Sequence, residues 1–332
     1  YPLYQPENGW AEQNPQDWWN AVCSTLKEIS KKACGKICGI GLSGQMHGLV
    51  MLDEKNEVLR NAIIWCDGRT AAECGEIESA IGHDRLLEIT GNPALAGFTA
   101  SKIMWVKKHE PETFRRCRHI LLPKDYIRYM LTGVYATDVS DASGMQLLDV
   151  GKRCWSDEVL EQLGIDRDLL AKVYESPEVT GYINETAAKL CGLKEGIPVA
   201  AGAGDNAAAA IGTGVCENGK AFTTIGTSGV VFAHTDEMIF DPKGRIHTFC
   251  CAVPGAWHVM GVTQAAGLSL SWFKNQFAKD LSYREIDGLC ENIPIGSDKL
   301  IYLPYLMGER TPVLDTNARG VFFGLSAMHT RA

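Results

Sequence analysis

With 332 residues the chain exceeds a single small domain and carries enough apolar content for two sizeable cores. A net charge of −8 at pH 7 without a basic stripe argues against a nucleic-acid or anionic-membrane partner, and every long apolar stretch is broken by Gly, Ser or charge before it could span a bilayer. The twelve cysteines lie in apolar contexts such as Cys38, Cys191 and Cys250-Cys251 with no paired C-x-x-C sets, which predicts reduced core thiols in a cytoplasmic protein without a signal peptide.

In chain order, Asn14-Pro15-Gln16-Asp17 predicts a helix start: Asn14 can cap, Pro15 suits the first helical position, and Asp17 meets the positive end of the dipole. Trp19, Val22, Leu26, Ile29 and Ala33 recur at threes and fours as one buried face, and Gly35 stops the helix. Ile37-Cys38-Gly39-Ile40-Gly41-Leu42 reads as a strand buried on both faces, delivering Ser43-Gly44-Gln45-Met46-His47-Gly48 at its carboxyl end. Residues 49–52 and 58–65 read as two more strands, leading into Trp65-Cys66-Asp67-Gly68-Arg69. Helical regions follow to about 81 and from 97 to near Pro111, and a short strand at 120–122 precedes a helix opened by Pro123. Thr137-Asp138-Val139-Ser140-Asp141-Ala142-Ser143-Gly144 is small and polar and reads as an ordered loop, while 155–174 reads as helical and surface-like.

The stretch that bears chemistry is Val199-Ala200-Ala201-Gly202-Ala203-Gly204-Asp205-Asn206-Ala207, a short strand and glycine turn presenting one carboxylate at the head of an alanine-rich helix over 206–211. Thr223-Thr224-Ile225-Gly226-Thr227-Ser228-Gly229 reads as a strand, a small-residue turn and a second strand, whose N–H groups can approach an anion closely. One acid and one phosphate-sized cradle suggest phosphoryl transfer to a hydroxyl. Asp205 is equally explained as a helix N-cap, and the two roles are compatible. Gly202-x-Gly204-x-x-Ala207 also fits a dinucleotide fingerprint, but the acid needed at the end of the next strand is missing at Thr224-Ile225-Gly226.

Three other features each have two readings. His47 is either a core histidine or a ligand residue beyond a strand end. Trp65 with Asp67 and Arg69 is either a wall for a polyhydroxylated substrate or a buried Trp beside a structural ion pair. Gly308-Glu309-Arg310 is either a surface turn or a site wall.

Taken in order, Gly9-Trp10-Ala11-Glu12-Gln13, Gly44 through Gly48, Trp65 through Arg69, Phe98-Thr99 with Lys102 and Trp105, Asp138 through Gly144, Gly202 through Asn206, Gly226 through Gly229, Leu303 through Pro312 and Gly320 through Leu325 resemble the FGGY carbohydrate kinases. Each stretch is short; their joint order is specific and covers essentially the whole chain. The resemblance implies an α/β, two-domain actin- and hexokinase-like (ribonuclease H-like) fold with an incomplete second domain. Residues 1–214 would form the sugar-binding N-terminal domain without its first strands, and 215–332 the start of the nucleotide-binding C-terminal domain. It also implies ATP and Mg²⁺ as cofactors and a sugar bound in the cleft between domains, with no nucleic-acid or membrane partner, and it leaves a homodimer open.

Carried over residue by residue, Asp205 is the general base, Met46 and His47 line the sugar pocket with Asn206 beside the sugar, and Gly226, Thr227 and Ser228 approach the ATP phosphates; Trp65 and Asp67 join the sugar-binding set, and no protein metal ligand is implied. The wording Gln45-Met46-His47-Gly48 favours D-xylulose as acceptor, since gluconate kinases tend to carry Ser after the Met-His pair; gluconate and ribulose are the alternatives. The family's opening Asp-x-Gly-Thr hairpin has no counterpart before Tyr1, and its adenosine-holding segments would follow Ala332. The 332-residue chain is therefore expected to bind sugar weakly and to show little kinase activity, a non-catalytic sugar-binding remnant being the rival reading.

Overall fold

The structure is a computed structural model that describes residues 1–315 and 317–332. They form two compact units, one of Tyr1–Lys220, His234–Gly244 and Thr248–Val259, the other of Ala221–Ala233, Arg245–His247 and Met260–Ala332.

The first unit is organised by strands covered on both faces. Leu49, Met51, Ile63, Ile120 and Leu122 enter one apolar cluster with Ile77, Ile103 and Val106, while Val50, Leu52, Ala62, Ile64 and Leu121 enter another with Trp18, Trp19 and Tyr126. This is the period-two alternation of a strand buried on both sides. Val50–Leu52 pairs antiparallel with His119–Leu121, and Ala62–Ile63 with Glu12–Gln13.

The sequence reading puts the doubly buried strand at 37–42, and the structure moves it to this pair of layers. Ile40 bridges Val199, but Ile37, Ile40 and Leu42 are only half-buried and Cys38, Gly39 and Gly41 are exposed. With two glycines on the outward side, the segment has one apolar face instead of two. Cys38 is accordingly an exposed thiol, as are Cys34, Cys66, Cys154 and Cys290, whereas Cys117, Cys191, Cys250 and Cys251 are buried.

The helix Pro15–Lys32 starts as predicted, with Asn14 Oδ1 accepting from the Gln16 N–H at 3.0 Å. Its apolar face is shorter than the periodicity suggests. Trp18 and Trp19 are buried and Val22 and Leu26 pack on the second cluster, but Ile29 is 52% exposed and Ala33 is the extended C-cap.

The stretch 137–144, read as a loop, is instead the end of the strand Ala136–Asp138, the short helix Val139–Ala142 and the beginning of a 3-10 turn, Ser143–Met145, all buried. The cause is local: the Asp138 carboxylate caps the turn by accepting from the Ser140 N–H at 2.9 Å. Ala136–Asp138 runs parallel to Lys172–Tyr174, so the 155–174 region carries the short helix Asp157–Leu163 and then returns as a strand.

In the second unit, 221–225 pairs antiparallel with 229–233, Ile225 facing Gly229 across the turn. The helix Gly267–Phe277 follows, then Tyr283–Cys290, which opens on a capping box between Ser282 and Glu285. Ile301–Leu303 pairs antiparallel with Val321–Phe323. Among the described residues no helix is long and apolar enough to cross a membrane.

Candidate active site

Asp205 is placed by two adjacent parallel strands. Ala203–Gly204 pairs with Ser43–Gly44, so both chains leave the sheet at their carboxyl ends together, one into Gln45-Met46-His47 and the other into Asp205-Asn206. The backbones are close: a Cβ on Gly204 would lie 2.9 Å from Met46 Cγ, and Met46 is buried. Asp205 is the first residue of the helix Asp205–Thr213 and Gly204 takes the cap position, so the carboxylate is not the N-cap. Asp205 Oδ1 accepts instead from Asn206 N (2.8 Å) and Nδ2 (3.2 Å). The side chain reaches solvent, yet desolvation by the surrounding chain raises its pKa above the ordinary 3.8 against the lowering effect of Asn206.

His47 adopts a left-handed backbone, φ 67°. Its Nδ1 lies 2.8 Å from the Gly144 carbonyl, which makes Nδ1 the protonated nitrogen, and its ring stacks on Phe98 at 4.5 Å between centroids. A Cβ on Gly144 would fall 2.5 Å from His47 Nδ1 and 3.1 Å from Met46 Cε, so the pair rests on a floor that only glycine leaves open.

Lys102 holds the His47 backbone from below. Its Nζ donates to the carbonyls of His47 (2.7 Å) and Gly97 (2.6 Å), and Thr99 Oγ1 donates to the same His47 oxygen at 3.1 Å. Complete burial lowers the Lys102 pKa from 10.5 to about 7, the charge of Asp67 opposing that shift. The folded value lies below the unfolded one, so between pH 7 and 10.5 the unfolded chain binds more protons, and stability from this group rises with pH across that window and is absent below it. The stability difference between wild type and Lys102→Met is expected to move in favour of wild type by roughly 1 kcal/mol per pH unit from pH 7 to 10, read by denaturant melts. A pH-independent difference would mean that Lys102 keeps an ordinary pKa.

Asp67, read from the sequence as a sugar ligand, has protein N–H groups on both carboxylate oxygens. Its Oδ1 accepts from Arg69 N (3.0 Å) and Nε (2.9 Å), and its Oδ2 from Arg69 Nη2 (2.7 Å) and Ala11 N (2.5 Å). Those four N–H groups fill the carboxylate, and Arg69 in turn lies over the Trp10 ring at 3.7 Å and pairs with Glu12 at 2.9 Å. Asp67 is a buried clamp on the 9–12 segment. Trp65, by contrast, is 49% exposed. With Gln13, Trp18, Gln45, Lys124 and Ile127 it lines a cavity of about 600 Å³ in which Gln45 Nε2 donates to Gln13 Oε1 at 3.0 Å. Met46, His47, Asp205 and Asn206 do not line that cavity.

In the second unit, Gly226 N donates to the Ser228 carbonyl at 2.9 Å, closing the turn. The carbonyls of Gly226 and Thr227 are taken by Gly267 N (2.8 Å) and Ala266 N (3.0 Å), and a Cβ on Gly267 would lie 2.6 Å from Gly226 O, so the turn sits tightly on the helix start. Glu309 is buried and accepts from Thr263 Oγ1 (2.7 Å), Gln264 N (3.0 Å) and Arg310 N (2.7 Å), which excludes a plain surface turn.

Buried charges lie beneath Asp205: Lys124, Asp125 and Arg128, which sequence reasoning passes over, and Asp138 and Asp141 from the stretch it read as a loop. Lys124-Asp125 stands just inside the helix that Pro123 opens, and no short-range pattern marks it as buried. Among the described residues no group of three or more His, Cys, Asp or Glu side chains is placed to hold a metal.

Comparison with known proteins identifies the family. Residues 1–212 match the FGGY family of carbohydrate kinases, N-terminal domain, and residues 221–332 match its C-terminal domain. The chain is 45% identical to the xylulose kinase of Bacillus subtilis (strain 168) over 334 residues, covering 100% of this chain and 67% of that protein. It superposes on ligand-bound xylulose kinase from Lactobacillus acidophilus with a TM-score of 0.94 at 29% identity, covering 100% of this chain and 67% of that one. Gluconate kinase from the same organism gives a TM-score of 0.94 at 30% identity, with coverage of 100% and 67%. The chain thus spans about two thirds of the length of these relatives. The chain belongs to the FGGY family of carbohydrate kinases.

Proposed function

We propose that the protein transfers the γ-phosphoryl group of ATP to a hydroxyl of D-xylulose, giving D-xylulose 5-phosphate, with Asp205 as general base. The observation that carries this reading is the 45% identity to a xylulose kinase along the whole chain. The paired strand ends that set Met46 beside the turn leading into Asp205 are consistent with it.

In this mechanism the sugar hydroxyl donates to Asp205, whose raised pKa makes it a better proton acceptor than an ordinary Asp. As the hydroxyl oxygen attacks phosphorus in line, the new O–P bond forms, the bond to the ADP oxygen breaks and the proton passes to the carboxylate. Asn206 holds that carboxylate in orientation through Oδ1. His47, held by its Nδ1–H donating to the Gly144 carbonyl, lines the sugar pocket beside Met46. Trp65 supplies an exposed ring for the sugar's apolar face, and Asp67 acts through the Arg69 clamp without touching substrate. Thr227 and Ser228 offer backbone N–H groups to the phosphates, while the Gly226 N–H closes the turn that presents them. Mg²⁺ would be held by the ATP phosphates and water, where it would offset phosphate charge, leaving Asp205 free to accept the proton.

The gluconate kinase fold match favours a second acceptor. Gly48 argues against it: a Cβ there would lie 2.4 Å from Pro123 Cγ, so this backbone does not admit a Ser at 48 without moving the proline. With the whole protein, kcat/KM is expected to be highest for D-xylulose in a panel with D-ribulose, gluconate and glycerol. Gluconate ahead of xylulose overturns the assignment.

A further inference from the structure

The turn 201–204 that carries Asp205 is gripped at both ends by buried polar groups. At one end the Ala201 carbonyl accepts from Lys124 Nζ (3.1 Å) and Arg128 Nη1 (2.5 Å). At the other, the Gly204 N–H donates to Ser140 Oγ at 3.2 Å. Ser140 Oγ is not free to rotate, because it donates its own proton to Asp138 Oδ2 at 2.5 Å. Asp138 is fixed in turn by Ser176 Oγ (2.8 Å) on Oδ2 and Lys124 Nζ (2.9 Å) on Oδ1. Lys124 closes the circuit on Asp125 at 2.7 Å, as does Arg128 Nη2 at 2.7 Å. Lys124, Asp125, Arg128, Asp138 and Ser140 are all buried.

Such a network has a cost that the fold alone does not demand. Two cations and three carboxylates, counting Asp141 at 3.7 Å from Lys124, are taken out of water, and apolar residues of similar volume often serve stability as well. Among the described residues neither Asp141 oxygen has a hydrogen-bond partner. Burial, opposed by Lys124 but joined by the charges of Asp125, Asp138 and Asp205, raises the Asp141 pKa well above the ordinary value.

We infer that Ser140, oriented by the Asp138–Lys124 pair, is a positioning residue for phosphoryl transfer, fixing the Gly204 amide and through it the direction of the Asp205 carboxylate. The inference rests on Asp205 as the base. Among the described residues this hydroxyl is the one side-chain group of the network that hydrogen-bonds the residue immediately before Asp205, and a misplacement of about 1 Å at a reacting group can cost on the order of 10²-fold in rate.

The test is a double-mutant cycle in the whole protein, with D-xylulose and Mg-ATP. Ser140→Ala is expected to lower kcat about tenfold with sugar KM changed less than about twofold. In an Asp205→Asn background the same substitution is expected to cost less than about twofold, because the group it positions is already disabled. Ser176→Ala removes a hydroxyl from the same Asp138 oxygen without touching Gly204, and is expected to leave kcat within about twofold while shifting Tm comparably. Equal fold losses for Ser140→Ala in both backgrounds, or equal losses for Ser140→Ala and Ser176→Ala, overturn the inference. If Ser140→Ala does not fold, Ser140→Cys, similar in volume and a weak hydrogen-bonder, runs through the same cycle. Near-normal turnover of Asp205→Asn alone overturns the base assignment instead, so the two failures are distinguishable.

Discussion

Asp205→Ala is expected to lower kcat by about 10²-fold or more, the lower range for loss of a general base, while sugar binding changes far less. The expectation rests on what the carboxylate does and does not contact. Among the described residues its hydrogen bonds go to the adjacent Asn206, and Gly204 holds the cap position, so truncation removes no tertiary bond among them and Tm should barely move. A second signature is the pH profile. The base must be ionised to work, and desolvation raises its pKa, so kcat/KM should fall on the acid side through an apparent pKa above 3.8, and that limb should vanish in Asp205→Ala. Steady-state assays of the whole protein over pH 4 to 8 check both. Near-normal turnover of the alanine variant would leave Asp205 as a helix residue with no part in the chemistry.

Gly202→Ala should be among the most damaging single substitutions in the first unit. Gly202 sits at φ +76°, and a Cβ built there lies 2.3 Å from the Leu42 carbonyl oxygen. That oxygen cannot retreat, because it accepts the Ala203 N–H at 2.9 Å across the strand pair that sets up Asp205. The left-handed backbone costs about 1–2 kcal/mol, and the clash and lost strand bond bring the total to about 3–5 kcal/mol, or a Tm drop on the order of 10 °C. Gly196→Ala is the matched control: φ is +79° but nothing lies within 4 Å of the new methyl, so only the backbone cost should appear. Equal destabilisation by the two, measured by thermal melts, would show that Leu42 yields and that the close approach is unimportant.

The local chemistry of this chain is written in short words, and those words were legible because their causes are local. Asn14 and Pro15 start a helix wherever they stand, a small-residue turn between 225 and 229 closes a hairpin, and a glycine-flanked Asp before an alanine run starts a helix with its carboxylate at the head. The ordered set of motifs placed the chain in its family for the same reason: each motif is a backbone requirement or a functional side chain, readable without knowing its neighbours. Tertiary structure decided everything that depends on which elements meet. Two faces of burial went to 49–52 and not to 37–42, because strands from 62–63 and 119–121 lie alongside the former, while the latter has one apolar side. The partners of Asp67 came from the fold, with Arg69 and the Ala11 N–H on its oxygens, the latter a contact across 56 residues. Lys124, Asp138 and Ser140 reached the turn below Asp205 from three elements whose polar residues look solvated in sequence, since a buried charge is identified only by the partners that the fold brings to it.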